Sequence, residues 1–187
     1  MPKISSLKYY AVAKGEKTEI FTSWKECKEY VNDIKDKLNV WTDGYCKRNG
    51  LSDAIGGIGV FFGDKDFRNL SERLPGEQQT NNYAEIYAAI RALEICDKNE
   101  NLIINTDSIY VINSHNIKKP KKIFDLVNKF NDLIKKRKGK TYLKHVKGHS
   151  NIYENEQTDR LTYLGSKNPD VELILPERKN TIKDYFK

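Results

Sequence analysis

The sequence predicts an α/β fold, a mixed five-stranded sheet flanked by helices, with a small β-β-α unit in front of it. Five short apolar runs of the main region read as strands, and three of them follow one another before any helix. Helix-period stripes then interleave with the last two runs, giving the order βββαβααβα, which suits a mixed sheet better than a bundle or a sandwich. A length of 187 residues, 38% of them apolar, fits one ordinary domain carrying a small attachment.

The elements follow in chain order. Tyr9 to Ala13 alternates as a short strand, KGEKT turns the chain, and Glu19 to Phe21 forms a second strand. Thr22 or Ser23 then caps a helix starting near Trp24. This unit spans residues 8–31, and the charged stretch 32–37 is a junction. The main domain, 38–166, opens with LNVWTDGYC, AIGGIGVFF and DFRNLSERL; the glycines of the second run make it poor as a helix, and the short connections suggest an antiparallel meander. Thr80 is an N-cap for a helix from about Asn81 to Cys96, with Ile86, Ile90 and Leu93 on one side. LIIN is a short buried strand leading to Asp107, and Ser108 to Ser114 is a short helix. Ile123, Leu126, Val127, Phe130, Leu133 and Ile134 form one helical stripe. TYLKHV is the last strand, and Asn155 to Leu164 the last helix. Residues 167–187 read as a tail.

The net charge is +7 and the pI about 9.1, which favours a polyanionic partner, nucleic acid or an anionic surface. From Ile117 to Lys147 there are twelve Lys or Arg against two Asp, so the remainder of the chain is slightly acidic. A basic face beside a carboxylate-bearing region is expected. Cys27, Cys46 and Cys96 are odd in number and form no CxxC, which argues against a disulfide framework or a zinc site and for a reducing compartment. The N-terminus has no continuous apolar signal core, and no run of 18 apolar residues occurs. An intracellular monomer of the nucleus or cytoplasm, without membrane contact, is the expectation.

Three acids stand out by context among 26 acidic residues, and a fourth candidate lies on the last helix. Asp43 lies between apolar neighbours inside a strand, and Asp107 ends an apolar strand; ionised carboxylates there are costly unless paired, hydrogen-bonded or metal-bound. Glu85 lies early in its helix, where the macrodipole tolerates negative charge. Ala88, Ala89 and Ala92 follow on the same face, so Glu85 looks inward. On the last helix Asp159 competes with Glu154 and Glu156, and periodicity does not choose among them. Carboxylates converging at a sheet edge repel, and divalent cations remove that repulsion. Oxygen ligands without paired Cys or His suit two Mg²⁺ ions, or Mn²⁺, rather than zinc. Two such ions stabilise both the attacking and leaving oxygens of a phosphodiester.

The strings TDGYCKRNG at 42–50, QTNNYAEIYAAIRAL at 79–93, INTDSIYVIN at 104–113 and VKGHSNIYENEQTDRL at 146–161 together resemble the type 1 ribonuclease H family over residues 38–166. The resemblance implies a ribonuclease H-like fold and cleavage of the RNA strand of an RNA–DNA hybrid, leaving 5′-phosphate and 3′-hydroxyl ends. It places the metal-binding carboxylates on Asp43, Glu85, Asp107 and Asp159, with Asp43 bridging both ions, and so selects Asp159. It makes His149 the mobile-loop histidine that assists proton handling or product release. It assigns substrate contacts to Cys46 (chiefly through its backbone), Asn49, Thr80 and Asn81, with Glu85 contributing. Gln78 stands where some relatives carry an arginine, and Asn151 and Glu154 replace glycines common in the final loop. The basic helical insertion of many relatives is reduced to NIKKPKK.

Residues 8–31 resemble the first half of the hybrid-binding domain of eukaryotic-type relatives, which would place Tyr9, Tyr10 and Trp24 on an aromatic surface and Lys8, Lys14, Lys17 and Lys25 on phosphates. KKPKK at 118–122 and KKRKGK at 135–140 are candidates for phosphate contact. KNTIKDYFK, with Ile182, Tyr185 and Phe186, resembles a sliding-clamp binding peptide. Two alternatives accompany the hybrid-ribonuclease reading: a nuclease of the same fold with another nucleic-acid substrate, and a non-catalytic hybrid-binding protein.

Overall fold

The computed structural model describes residues 10–12, 19–21, 23, 25–28, 37–114 and 123–167. The chain divides into two compact units, Met1–Leu38 and Asn39–Lys187. In the first, β1 (Tyr10–Val12) pairs antiparallel with β2 (Glu19–Phe21), Tyr10 opposite Phe21. The Ser23 carbonyl accepts the Cys27 N–H at 3.1 Å, opening a helical turn over residues 25–28, and Cys27 is buried. Tyr9, Trp24, Lys8, Lys14, Lys17, the 118–122 run, Ile182, Tyr185 and Phe186 lie outside the described residues; of Tyr10 only the backbone is described.

The larger unit is a mixed α/β domain. Its sheet runs in the order β5-β4-β3-β6-β7. Strand β3 (Lys37–Lys47) pairs antiparallel with β4 (Ile55–Phe61), and β4 with β5 (Leu70–Arg73), completing the expected meander. Strand β6 (Asn101–Thr106) neighbours β3 and runs parallel to β7 (Thr141–His145). The helices are α1 (Asn81–Ile95), α2 (Ile109–Asn113), α3 (Phe124–Lys136) and α4 (Tyr153–Lys167).

The period of two along β4 explains the layering. Ile58 packs into a cluster with Ala84 and Ala88 of α1, whereas a Cβ on Gly57 or Gly59 would strike the backbone of α4 near Ser166 or Thr158. Helices therefore cover both faces, and glycine is required where α4 crosses. Gly165 of α4 returns the contact against the Glu72 backbone. Val40, Ile58, Val60, Phe61, Leu102, Ile104 and Phe130 are fully buried, each removing roughly 1.5–3 kcal/mol worth of apolar surface from water.

Three boundaries differ from expectation. β5 is only four residues long because Asp66 to Asn69 forms a tied turn: the Asn69 side chain accepts the Phe62 N–H at 2.8 Å and donates to the Gly63 carbonyl at 2.7 Å. β3 begins at Lys37, inside the expected junction. The last helix starts at Tyr153 and continues to Lys167, past Gly165, which is a packing residue and not a helix stop.

Candidate active site

Each of the four acids arrives on a different element. Asp43 sits in β3, in register with Gly59 of β4. Asp107 follows the last residue of β6, and Glu85 is in the second turn of α1. Asp159 belongs to α4. Strand and helix approach so closely at Gly44 that a Cβ there would overlap the backbone of Ala84 and Glu85. That contact carries Glu85 up to the sheet edge. The buried Ala84, Ala88, Ala89 and Ala92 continue the small-residue face along α1, and Ala84 and Ala88 pack with Ile58 of the sheet.

Ligand oxygens of Asp43, Glu85 and Asp107 all lie within 4.8 Å of one another. With Asp159, His149 and Asn81 these residues line a cleft of about 470 Å³. Asp159 stands at its edge, its carboxylate 3.4 Å from the Asn155 side-chain amide, which donates to it, and 3.7 Å from Nδ1 of His149. Glu154 and Glu156 do not line the cleft. His149 is 91% exposed and has a left-handed backbone, as does Asn151. Asparagine is the residue after glycine that best tolerates this region, so Asn151 preserves a turn that glycine would otherwise make. The preceding Gly148 lies against Asp107: a Cβ there would sit 2.5 Å from the carboxylate oxygen.

Burial and mutual repulsion hold these acids toward their neutral forms. The Asp43 carboxyl is pushed up to about 6, chiefly by burial and further by Asp107, against opposing hydrogen bonds from Thr162 and Gly44. Glu85 is driven well above the usual carboxylate range by burial and then by Asp43, Asp107 and Asp159. Asp159 rises to about 8 by burial, with Asp43 and Asp107 adding to it. Oxygen Oε2 of Glu85 is buried without any hydrogen-bond partner. A buried orphan acceptor is destabilising by about 1–3 kcal/mol, more for a charged group. A hard divalent cation would satisfy it and cancel the repulsion, so this donor set fits Mg²⁺ or Mn²⁺.

Cys46, Asn49 and Asn81 form one hydrogen-bonded assembly beside the acids, and Thr80 stands next to it. The Cys46 N–H donates to the Asn81 side-chain oxygen at 2.8 Å, and the Asn81 N–H to that of Asn49 at 3.0 Å. Thr80 caps α1, its hydroxyl accepting the Tyr83 N–H at 3.3 Å. With its N–H committed to Asn81 and its side chain buried, Cys46 acts here by aiming Asn81. Gln78 joins Asn49, Thr80, Asn81 and Tyr110 around a neighbouring cleft of about 770 Å³, which shares Asn81 with the first.

Sequence reasoning passed over Thr162, whose hydroxyl donates to the Asp43 carbonyl at 3.2 Å, and Tyr45 and Tyr163, which line the acidic cleft. The signal for the tyrosines was spacing: two residues after Asp43 on a strand and four after Asp159 on a helix share a face with those acids.

Residues 35–167 match the family model described as RNase H, and residues 8–37 the one described as Ribonuclease H1 N-terminal domain. A Schizosaccharomyces pombe protein named Ribonuclease H is 36% identical over an alignment covering 88% of this chain and 71% of that protein. Human Ribonuclease H1 is 37% identical over 71% of this chain, and the chain spans about half of its length, 51%. A Clostridium botulinum Ribonuclease H is 31% identical over 67% of this chain and 92% of its own length. Among solved structures, an RNase H1 isolated from compost shares the fold with a TM-score of 0.55 and 23% identity, covering 70% of this chain and 96% of that one.

Proposed function

Because the chain belongs to the ribonuclease H family, we propose that it hydrolyses the RNA strand of RNA–DNA hybrids with the help of two divalent cations held by Asp43, Glu85, Asp107 and Asp159. The convergence of three carboxylates within 4.8 Å, one with an orphaned buried oxygen, carries this reading. Cations bound there would supply an activated water and charge stabilisation at the attacked phosphate, giving 5′-phosphate and 3′-hydroxyl ends.

The protein's own contribution is positioning. Asp43 and Asp107 project from neighbouring strands, so their separation is set by the sheet. Thr162 ties the Asp43 backbone to α4 and thereby relates Asp159 to the sheet acids. His149, exposed beside Asp159, can carry a proton to or from the leaving oxygen. Asn49 and Asn81, locked together at the lip, present amide groups to the 2′-hydroxyls by which RNA is told from DNA. The first unit, matching the Ribonuclease H1 N-terminal domain, adds a second hold on the hybrid.

The test is cleavage of an end-labelled hybrid in Mg²⁺, beside single-stranded RNA, duplex RNA and duplex DNA. Selective cutting of the RNA strand in the hybrid is expected, and Asp43→Asn should lower the rate by more than about a hundredfold. Equal cutting of duplex DNA or RNA, or activity that survives Asp43→Asn, would overturn the reading. Hybrid binding without cleavage would identify a non-catalytic binder.

A further inference from the structure

We propose that Tyr45, Tyr163 and Lys167 form a strip along the rim of the acidic cleft that grips the RNA strand of the hybrid beside the bond being cut. The inference rests on the hybrid-ribonuclease reading.

Six large apolar or aromatic side chains are exposed among the described residues, and only Tyr45 and Tyr163 of these line the acidic cleft. Their exposures are 42% and 37%. Both stand beside the acids for a periodic reason. Tyr45 follows Asp43 by two positions on β3, and Tyr163 follows Asp159 by four on α4. Tyr45 is opposite Gly57, so no side chain of β4 stands across from it on that face. One turn beyond Tyr163, the Lys167 ammonium lies 5.6 Å from its ring centroid. The strip thus runs from carboxylates to aromatic rings to a cation.

That sequence of chemistries suits one polyanionic strand. Exposed aromatic faces stack on sugars and bases regardless of sequence, and a flanking ammonium neutralises a phosphate. The asparagine-rich cleft with Gln78 and Tyr110 shares only Asn81 with the acidic cleft, and neither tyrosine of the strip lines it. The strand whose phosphate reaches the acids passes the tyrosines that line the same cleft, and in a hybrid ribonuclease that strand is RNA.

Steady-state cleavage of a hybrid by the full chain tests the strip with Tyr45→Ala, Tyr163→Ala, Tyr45→Phe, Tyr163→Phe and Lys167→Gln. Each alanine variant is expected to raise KM about tenfold with a smaller effect on kcat, while the phenylalanine variants retain wild-type KM. Lys167→Gln should reduce the slope of log affinity against log salt by about one. Trimming the RNA strand back from the strip, from each end in turn, should bring wild type and alanine variants together, whereas trimming the DNA strand should not. Unchanged KM and salt slope in a wild type that cleaves hybrids would overturn the strip alone. So would equal losses in the alanine and phenylalanine variants accompanied by a lower melting temperature, because those indicate a folding role. A wild type that does not cleave hybrids would overturn the underlying function instead.

Discussion

At the scale of single residues, the acids trade stability for a site that waits for positive charge. Burial chiefly pushes the Asp43 carboxyl from an ordinary 3.8 up to about 6, and that of Asp159 up to about 8. The folded state holds these protons longer than the unfolded chain does, so stability is greatest below about pH 4 for these groups. It falls as pH rises through 6 and on to 8. For Asp43 alone the loss is on the order of 3 kcal/mol. In the metal-free protein, thermal melting is expected to move down between pH 5 and pH 8 because of these acids, and Mg²⁺ should raise the midpoint more at pH 8 than at pH 5. A Mg²⁺ effect independent of pH would contradict the assignment of these acids as ligands. Along the chain only the family resemblance singles out Asp159; in the fold its advantage over Glu154 and Glu156 is physical, since it alone of the three faces the cleft.

At the scale of elements, the site depends on how closely α1 lies on β3. Gly44 is the contact point, and Gly44→Ala must push helix and strand apart. An overpacking cost of about 1–3 kcal/mol is expected in denaturant unfolding, with hybrid cleavage falling further than stability, because Glu85 moves with the helix. Unaltered cleavage in a stably folded Gly44→Ala protein would show that the close approach does not position Glu85. The opposite end of α1 is held by Arg137. Its guanidinium donates to the carbonyls of Cys96 at 3.4 Å, Asp97 at 2.8 Å and Glu100 at 3.0 Å. This corrects the expectation that the whole 135–140 run is available for phosphate contact: Arg137 turns inward and is buried. Arg137→Ala should lose at least about 2 kcal/mol of stability, read from the urea midpoint, while hybrid affinity in the folded protein stays near wild type.

At the scale of the molecule, the basic run at the end of α3 is a charged surface separate from the two clefts. Lys135, Lys136, Lys138 and Lys140 are exposed. Lys135 reaches Asp132 at 3.8 Å, on a well-solvated surface where such a pair contributes little. Replacing all four lysines by glutamine is expected to weaken hybrid binding at low salt. Its salt dependence should flatten by roughly one unit of log–log slope for every phosphate the lysines neutralise. A salt slope identical to wild type would exclude this run from the interface. Among the described residues no helix is long and apolar enough to cross a membrane.

Local pattern along the chain was enough to set the element order and the strand contexts of Asp43 and Asp107. Alternation and capping are local properties that leave a local trace, as at Thr80 and along Leu102 to Asn105. The turn at Asp66–Asn69 and the helix continuing past Gly165 were hidden, because a side chain tying a loop and a glycine admitting a neighbouring backbone are defined only by what lies across from them. The same holds for the site. Four acids could be named along the chain, but their common approach, the orphaned Glu85 oxygen and the tyrosine rim exist only once β3, β6, α1 and α4 are packed together. Charge repulsion and desolvation depend on distances between these elements, and packing in three dimensions is what sets those distances.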